Sequence, residues 1–360
     1  MGGGRRQRAR SPLPDPVISP AQAQLFRSLR FWAGVAISAV FIWLFLRATD
    51  RGEIVDAFKD VNYWYMIPAV GVLFVALAIR CWRWSVLMRP VAPISAYRLF
   101  PYAIIGYMAN NLLPARAGEV VRAYVTGERE HVSRMGTFGT IAVERLFDGC
   151  ILVMMLLIAG FTVGFEDGRL RTIAAASSVL FVVAFGAFFA LTHSEERAKR
   201  LTHWFLRFLP ERLEHQAEHI ADGFVNGLRS VHDWKTLLTV LFLSAAAWTV
   251  EAAAYAVIGL GFDLGVNFGH YCLLLAAANL AIIIPTFLGG TGPFEWAARL
   301  VLVGAGVADG LASAYAVVAH AVIFVPTTIL GLILLWSFGI SFRRVAQVTT
   351  PEEPEVEAVA

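Results

Sequence analysis

Two interruptions in otherwise apolar sequence constrain this chain most. The first runs Asn110-Asn111-Leu112-Leu113-Pro114-Ala115-Arg116-Ala117-Gly118-Glu119. The second runs Pro285-Thr286-Phe287-Leu288-Gly289-Gly290-Thr291-Gly292-Pro293-Phe294-Glu295. Each sets proline, glycine and a glutamate where a membrane-crossing helix should continue. In hydrocarbon, irregular backbone leaves N–H and C=O groups unpaired at a cost of roughly several kcal/mol each. Such breaks therefore persist only where they are buried in protein or line a cavity. Paired interruptions in two halves of a membrane protein point to a substrate site. The residues that make these breaks are Pro114, Pro285, Gly289, Gly290 and Gly292.

With 58% hydrophobic and 16% charged residues, the chain cannot hide its apolar surface by folding on itself in water. An all-α polytopic integral membrane protein follows. Cys81, Cys150 and Cys272 are scattered without C-x-x-C spacing, which argues against a disulfide framework or a structural zinc and reads as small core residues. Arginine carries nearly all the positive charge, and a net charge of +3 gives no sign of a nucleic-acid partner. Residues 1–28, with Arg5, Arg6, Arg8 and Arg10 followed by four prolines, read as a disordered basic tail. The apolar run Phe31 to Leu46 ends in Leu46-Arg47 rather than at a cleavage site, so it is expected to remain as the first span.

Further apolar segments run from about Tyr63 to Ile79, Leu99 to Leu113, Thr137 to Phe165, Thr172 to Thr192, Thr236 to Phe262, Tyr271 to Leu288, Phe294 to Gly306 and Leu311 to Ile340. The positive-inside rule assigns Arg80, Arg83, Arg89 and Arg98 to a cytoplasmic loop, and does the same for the basic connection 194–235. Both loops fall on one side only if Leu99 to Leu113 dips in and returns through the first break. The same logic applied to Tyr271 through Gly306, entering from the other face, leaves Arg343 and Arg344 cytoplasmic. The expected architecture of domain 29–342 is therefore about six full spans plus two oppositely oriented re-entrant hairpins, an inverted repeat. Both termini are expected in the cytoplasm of a bacterial inner membrane.

The connection 194–235 mixes charges with apolar residues at spacings near three and four, and reads as amphipathic helix at the interface. His215 and His219 share a helical face within it, but no H-E-x-x-H arrangement accompanies them, and no metal or other cofactor is expected. Residues 343–360, rich in glutamate, read as a disordered acidic tail.

The candidate site residues are charges placed where they are costly. Arg116, Glu119 and Arg122 flank the first break, with Gly118 giving the backbone room, and an arginine fork suits a pair of phosphate oxygens. Asn110 and Asn111 stand at the same break. Glu144-Arg145-Leu146-Phe147-Asp148 opens a strongly apolar helix, with Glu144 and Asp148 four apart on one face. Two carboxylates there repel unless arginines meet them, and Arg116 and Arg122 are the first candidates for an interhelical charge network. Glu251 has no basic neighbour in its own helix and needs Arg299, Asn279, a proton or a cation. Glu295, just past Gly292, is placed to cap the start of the following half-helix.

These residues carry a resemblance: Asn111-Leu112-Leu113-Pro114-Ala115-Arg116-Ala117-Gly118-Glu119-Val120-Val121-Arg122, then Glu144 to Asp148, then a proline- and glycine-rich turn ending in Glu295. From roughly Ser28 to Phe342 the chain resembles the flippase-like transmembrane domain of the lysylphosphatidylglycerol synthase family. The third motif departs from the family's Pro-x-Pro-Gly-Gly-x-Gly-x-x-Glu, because Phe287-Leu288 replace the second proline. The resemblance implies movement of an anionic or polar-headed lipid between leaflets, in a stand-alone member without the aminoacyl-transferase domain.

The leading reading is a lipid translocase and not an enzyme, with a cavity between the two hairpins. Arg116, Arg122 and Arg145 would take the phosphate beside Asn110, Asn111 and Gly118. Glu119, Glu144, Asp148, Glu251 and Glu295 would hold those arginines or couple a proton. No Walker sequence is present, so ATP is not the direct driver. Membrane lipids are the expected partners, with a lipid-synthesising enzyme as a further candidate. The alternatives are a membrane enzyme transferring a glycosyl or aminoacyl group to a lipid, with Glu144 and Asp148 as acid and base, and a scaffold of a lipid-synthesis complex.

Overall fold

The computed structural model describes residues 29–48, 51–113, 117–164, 233–283 and 288–341, with Thr172, Ala175, Val179, Val183 and Gly186 between them. Pro114, Arg116, Pro285, both tails, His215, His219 and nearly all of the connection 194–235 lie outside these residues. The described chain contains helices and no strand: α1 (Leu29–Ala48), α2 (Arg51–Asp60), α3 (Met66–Met88), α4 (Ala96–Leu112), α5 (Gly118–Glu130), α6 (Arg134–Val163), α7 (Trp234–Gly261), α8 (Phe268–Ala281), α9 (Pro293–Gly304) and α10 (Asp309–Ser337).

Local sequence punctuates these helices. Ser133, Asp233 and Asn267 sit at N-caps and accept from the backbone N–H of Gly136, Thr236 and His270, satisfying donors that have no partner within the helix. His131 ends α5 in the left-handed conformation, with φ 55°.

Among the described residues, four helical segments are long and apolar enough to cross a membrane: Tyr63–Met88, Arg134–Val163, Trp234–Gly261 and Asp309–Ser337. At 1.5 Å per residue each spans roughly 39 Å or more, against a hydrocarbon core of ~30 Å. The arms α4, α5, α8 and α9 have 17, 13, 14 and 12 residues. They reach only about 18–26 Å, less than the core.

The bundle has two distinguishable ends. α3 and α7 run antiparallel, joined at one end by Asn62 N–H donating to Gly261 O at 2.9 Å. The start of α10 belongs to that end, where Gly310 packs on Glu53 of α2, as does the end of α6, where Val163 meets Gly269. At the opposite end, Met88 meets Thr140 near the start of α6, and the Phe338 ring lies 5.9 Å from Tyr102.

The short helices form two antiparallel pairs. In the first, Tyr102 donates to Glu130 at 2.7 Å at the open end, and Asn110 donates to Glu119 at 3.1 Å at the tip. The open end of this pair lies at the Met88 end of the bundle. Gly118 makes the closure possible, because a Cβ there would fall 2.1 Å from Gly106 O. In the second pair, His270 and Leu273 lie near Gly304 at the open end, and the Cβ position of Gly290 is 2.3 Å from Ile282 at the tip. The open end of this pair lies at the Asn62 end of the bundle. Gly289, Gly290 and Gly292 take φ of 64°, 101° and 103°, backbone that residues with a Cβ rarely adopt. The two tips meet inside the bundle, with Asn111 Oδ1 about one van der Waals contact, 3.3 Å, from the Cβ position of Gly289.

Candidate functional site

A layer of buried charge crosses the middle of the bundle. Arg80 and Arg83 of α3 are three residues apart and share a face, 4% and 0% exposed. Arg83 Nη1 lies 2.5 Å from Asp148 Oδ1 and donates to Ser244 Oγ at 2.8 Å, while its Nη2 is 3.2 Å from Glu144 Oε1. Arg80 Nη2 lies 2.6 Å from Glu251 Oε2, and its Nη1 is 3.8 Å from Asp148. Arg122 closes a two-pronged fork on Glu144 at 3.0 and 3.1 Å. Arg145 bridges Glu144 at 2.6 Å and Asp148 at 3.2 Å, with its side chain 36% exposed.

Aromatic rings support this layer. The Arg122 guanidinium lies 3.5 Å from the Trp84 ring centroid, and that of Arg80 lies 3.9 Å from the Trp248 centroid. Trp248 also donates to Asp148 at 3.0 Å. Such stacking favours a desolvated arginine by ~2 kcal/mol. The rings thus offset part of the cost of burying the ions, and the forks fix their geometry.

Next to this layer is a cavity of about 170 Å³. That is over ten times the roughly 10–15 Å³ one water needs on the same measure. The first helical pair contributes Tyr107, Asn110, Asn111 and Glu119 to its walls, and the second contributes Asn279, Ile282, Gly289 and Phe294. Arg80, Arg145, Trp248 and Glu251 line it from the charged layer, and His320 and Phe324 from α10. Among the described residues, the buried donors without a hydrogen-bond partner include Arg80 Nε, Arg145 Nε and Tyr107 Oη, on residues of this wall, and Arg83 Nε and Arg122 Nε, in the adjoining network.

The second tip carries its own polar pair. Glu295 Oε2 accepts from Gly292 N–H at 2.6 Å, capping α9, and Glu295 Oε1 lies 2.5 Å from His320 Nδ1. Asn111, at the first tip, donates to Thr328 Oγ1 on α10 at 2.9 Å, just past Pro326.

The structure brings together Asn110, Asn111, Glu119, Arg145, Glu251 and Gly289 around the cavity. Glu144, Asp148 and Arg122 form the adjoining network and do not border it. Gly118 holds the first pair closed and donates its N–H to Asn110 Oδ1 at 2.8 Å. Glu295 sits beneath the cavity wall, bonded to His320.

Two expectations need correction. Arg80 and Arg83 are not loop residues: α3 continues through Met88, and both arginines turn inward onto carboxylates of α6 and α7. The partner of Glu251 is Arg80. Arg299 pairs instead with Asp309 at 2.5 Å, and Asn279 donates to Leu275 O at 2.9 Å. Trp84, Tyr107, Trp248 and His320 were also missed. The run Arg80-Cys81-Trp82-Arg83-Trp84, with apolar sequence continuing beyond it, was the available signal for α3. A lone histidine in the apolar helix α10 offered none.

Comparison with known proteins gives a family match. The model of the lysylphosphatidylglycerol synthase TM region matches residues 31–331. A UPF0104 membrane protein of Methanothermobacter thermautotrophicus is 28% identical over 323 residues, covering 85% of this chain and 95% of that protein. A protein of Haloferax volcanii named glycosyltransferase AglD is 25% identical over 354 residues, covering 90% of this chain and 57% of that protein. A further UPF0104 membrane protein, from Methanocaldococcus jannaschii, is 25% identical over 200 residues, covering 54% of this chain and 78% of that protein. No solved structure matches this chain significantly.

Proposed function

The chain belongs to the lysylphosphatidylglycerol synthase TM region family, as a multi-pass membrane protein, and on that premise we propose that it translocates an anionic or polar-headed lipid between bilayer leaflets. The observation that carries this reading is the set of unpartnered donors, Arg80 Nε, Arg145 Nε and Tyr107 Oη, on residues that line a cavity between two helical tips. A buried donor without an acceptor costs roughly 1–3 kcal/mol, and a phosphate oxygen removes that cost.

In this reading the two short helical pairs are re-entrant hairpins, accompanied by about six full spans within residues 29–342, and both termini are cytoplasmic. Arg145, the most exposed of the four arginines in the network, makes the first contact with the phosphate, beside Tyr107, Asn110 and Asn111. Arg122 and Arg83 hold Glu144 and Asp148 in place. The lipid headgroup passes from one tip to the other while its acyl chains remain in the bilayer.

A second reading, a transferase acting on a lipid-linked group, draws on the name of the Haloferax relative. Glu144 and Asp148, the acid and base first selected for it, are enclosed by arginines and do not border the cavity. Translocation needs no such pair.

The test is dithionite accessibility of fluorescent phosphatidylglycerol in vesicles containing the purified protein. Wild type is expected to expose inner-leaflet lipid, with Arg145→Gln slowing exchange at least tenfold while remaining folded. Equal rates for wild type, Arg145→Gln and empty vesicles overturn the proposal.

A further inference from the structure

We infer that His320 is a proton-binding group of this cavity, and that the second helical tip holds an anion only when that imidazole is protonated. The inference rests on the anion reading of the cavity proposed above. His320 borders the cavity with its ring fixed on three sides. Glu295 Oε1 lies 2.5 Å from Nδ1, Phe294 stacks on the ring at 4.6 Å and 30°, and Phe324 meets it edge-on at 5.8 Å. Glu295 cannot turn away, because its second oxygen accepts from Gly292 N–H at the start of α9.

This geometry assigns the tautomer. A carboxylate that already accepts from backbone takes a second N–H from Nδ1, so neutral His320 carries its proton there and Nε2 is an acceptor. A lone pair on Nε2 repels a phosphate oxygen. One added proton converts Nε2 to a donor and makes the ring cationic.

The charged neighbours do not supply the same switch. From α9 comes Glu295. From α3 and α7 come Arg80 and Glu251, which are bonded to each other at 2.6 Å. The first helical pair presents Tyr107, Asn110 and Asn111 from α4, with Glu119 from α5 held by Asn110. Arg145 of α6 faces Glu144 and Asp148. Glu53 of α2 packs at Gly310, about 15 Å up α10 from His320. Between pH 5 and 8 histidine is the ordinary side chain that changes charge, and His320 alone among these neighbours is one.

The mechanistic consequence is linkage. Each anion held at the second tip brings one proton with it, so a proton gradient biases the direction of lipid movement. The cavity then divides the work: arginine grips the phosphate at the charged layer at any physiological pH, and His320 takes it over at the second tip only when protonated.

The experiment is calorimetric titration of the detergent-purified protein with glycerophosphoglycerol, a phosphodiester that does not itself titrate in this range, in buffers of different ionisation enthalpy, from pH 5.5 to 8.5. Wild type is expected to bind at every pH through the arginines, more tightly at pH 5.5 than at pH 8.5, and to take up a fraction of a proton per bound anion near neutral pH. His320→Asn places an amide where Nδ1 was, keeps the bond to Glu295, and is expected to bind without proton uptake. Carbon-13 histidine NMR of the wild type gives an independent readout, in which the His320 titration moves to higher pH when the probe is added. Binding with no proton uptake and an unmoved His320 titration overturns this inference alone. No binding of the probe by wild type at any pH overturns the anion reading of the cavity and this inference with it.

Discussion

Arg80 and Glu251 are 171 residues apart in the chain and meet at 2.6 Å in the body of the bundle, joining α3 to α7 beside the cavity. Each is the answer to the other's cost. A carboxylate in mid-membrane needs a cation, and an arginine turned inward needs an anion. The pair also fixes the spacing of two cavity walls, because Arg80, Trp248 and Glu251 all line it.

Removing one partner leaves the other buried without full compensation. Glu251→Gln is expected to destabilise the protein by about 3–5 kcal/mol, whereas Arg80→Met combined with Glu251→Leu should lose less than the sum of the two single changes. Thermal unfolding in detergent measures both. A fully additive double mutant would show that the two side chains do not act as a pair.

The closure of the first helical pair depends on Gly118. A Cβ at this position meets Gly106 O at 2.1 Å and Asn110 Cγ at 2.6 Å, and a backbone oxygen cannot rotate aside. Gly118→Val is expected to cost at least about 1–3 kcal/mol by overpacking and to abolish transport. Gly71 on α3 has open space at its Cβ position, so Gly71→Ala serves as the control and should leave both stability and transport intact. Unfolding midpoints and vesicle exchange rates for the two variants check the contrast.

Much of the architecture was legible in the chain because hydrocarbon imposes few solutions. Apolar length marked the long helices, and the two breaks marked the places where helical pairs turn. The charge layer was only half legible. Glu144 and Asp148 stood out on one face of α6, but Arg80 and Arg83 lie so near the end of their apolar run that charge counting placed them in a loop. What distinguishes a loop arginine from an inward one is its partner, and Glu251 is too distant in sequence to be paired with Arg80 by local spacing. His320 was invisible for a related reason: its role depends on Glu295 and Phe294, which arrive from another helix.

Arg145 and Tyr107 should separate binding from folding. Glu144 keeps Arg122 and Arg83, and Asp148 keeps Arg83 and Arg80, when Arg145 is shortened. Because those contacts remain, Arg145→Gln is expected to cost less stability than Glu251→Gln, which takes from Arg80 its shortest ion pair. Tyr107→Phe removes a hydroxyl that has no protein partner, so its stability should be unchanged or slightly higher. Both are expected to weaken anion affinity, Arg145→Gln by at least tenfold and Tyr107→Phe by about fivefold, for a lost hydrogen bond of ~1 kcal/mol. Unaltered affinity in both variants would remove these side chains from the binding site.

The arrangement of the short helices makes a prediction that no transport assay is needed to check. If the first pair enters and leaves by one face, single cysteines at Tyr97 and His131, in a background lacking Cys81, Cys150 and Cys272, react with an impermeant maleimide from the same side of sealed vesicles. Cysteines at Asn267 and Gly306, flanking the second pair, then react from the opposite side. The lengths favour this outcome, because α4 and α5, at roughly 26 and 20 Å, fall short of a ~30 Å core. The bond from Tyr102 to Glu130 also holds the two ends of the first pair together at 2.7 Å. Labelling of Tyr97 and His131 from opposite sides would require the chain to cross between them. That crossing would invert everything after it, placing the basic residues near α7 on the face where the positive-inside rule does not put them.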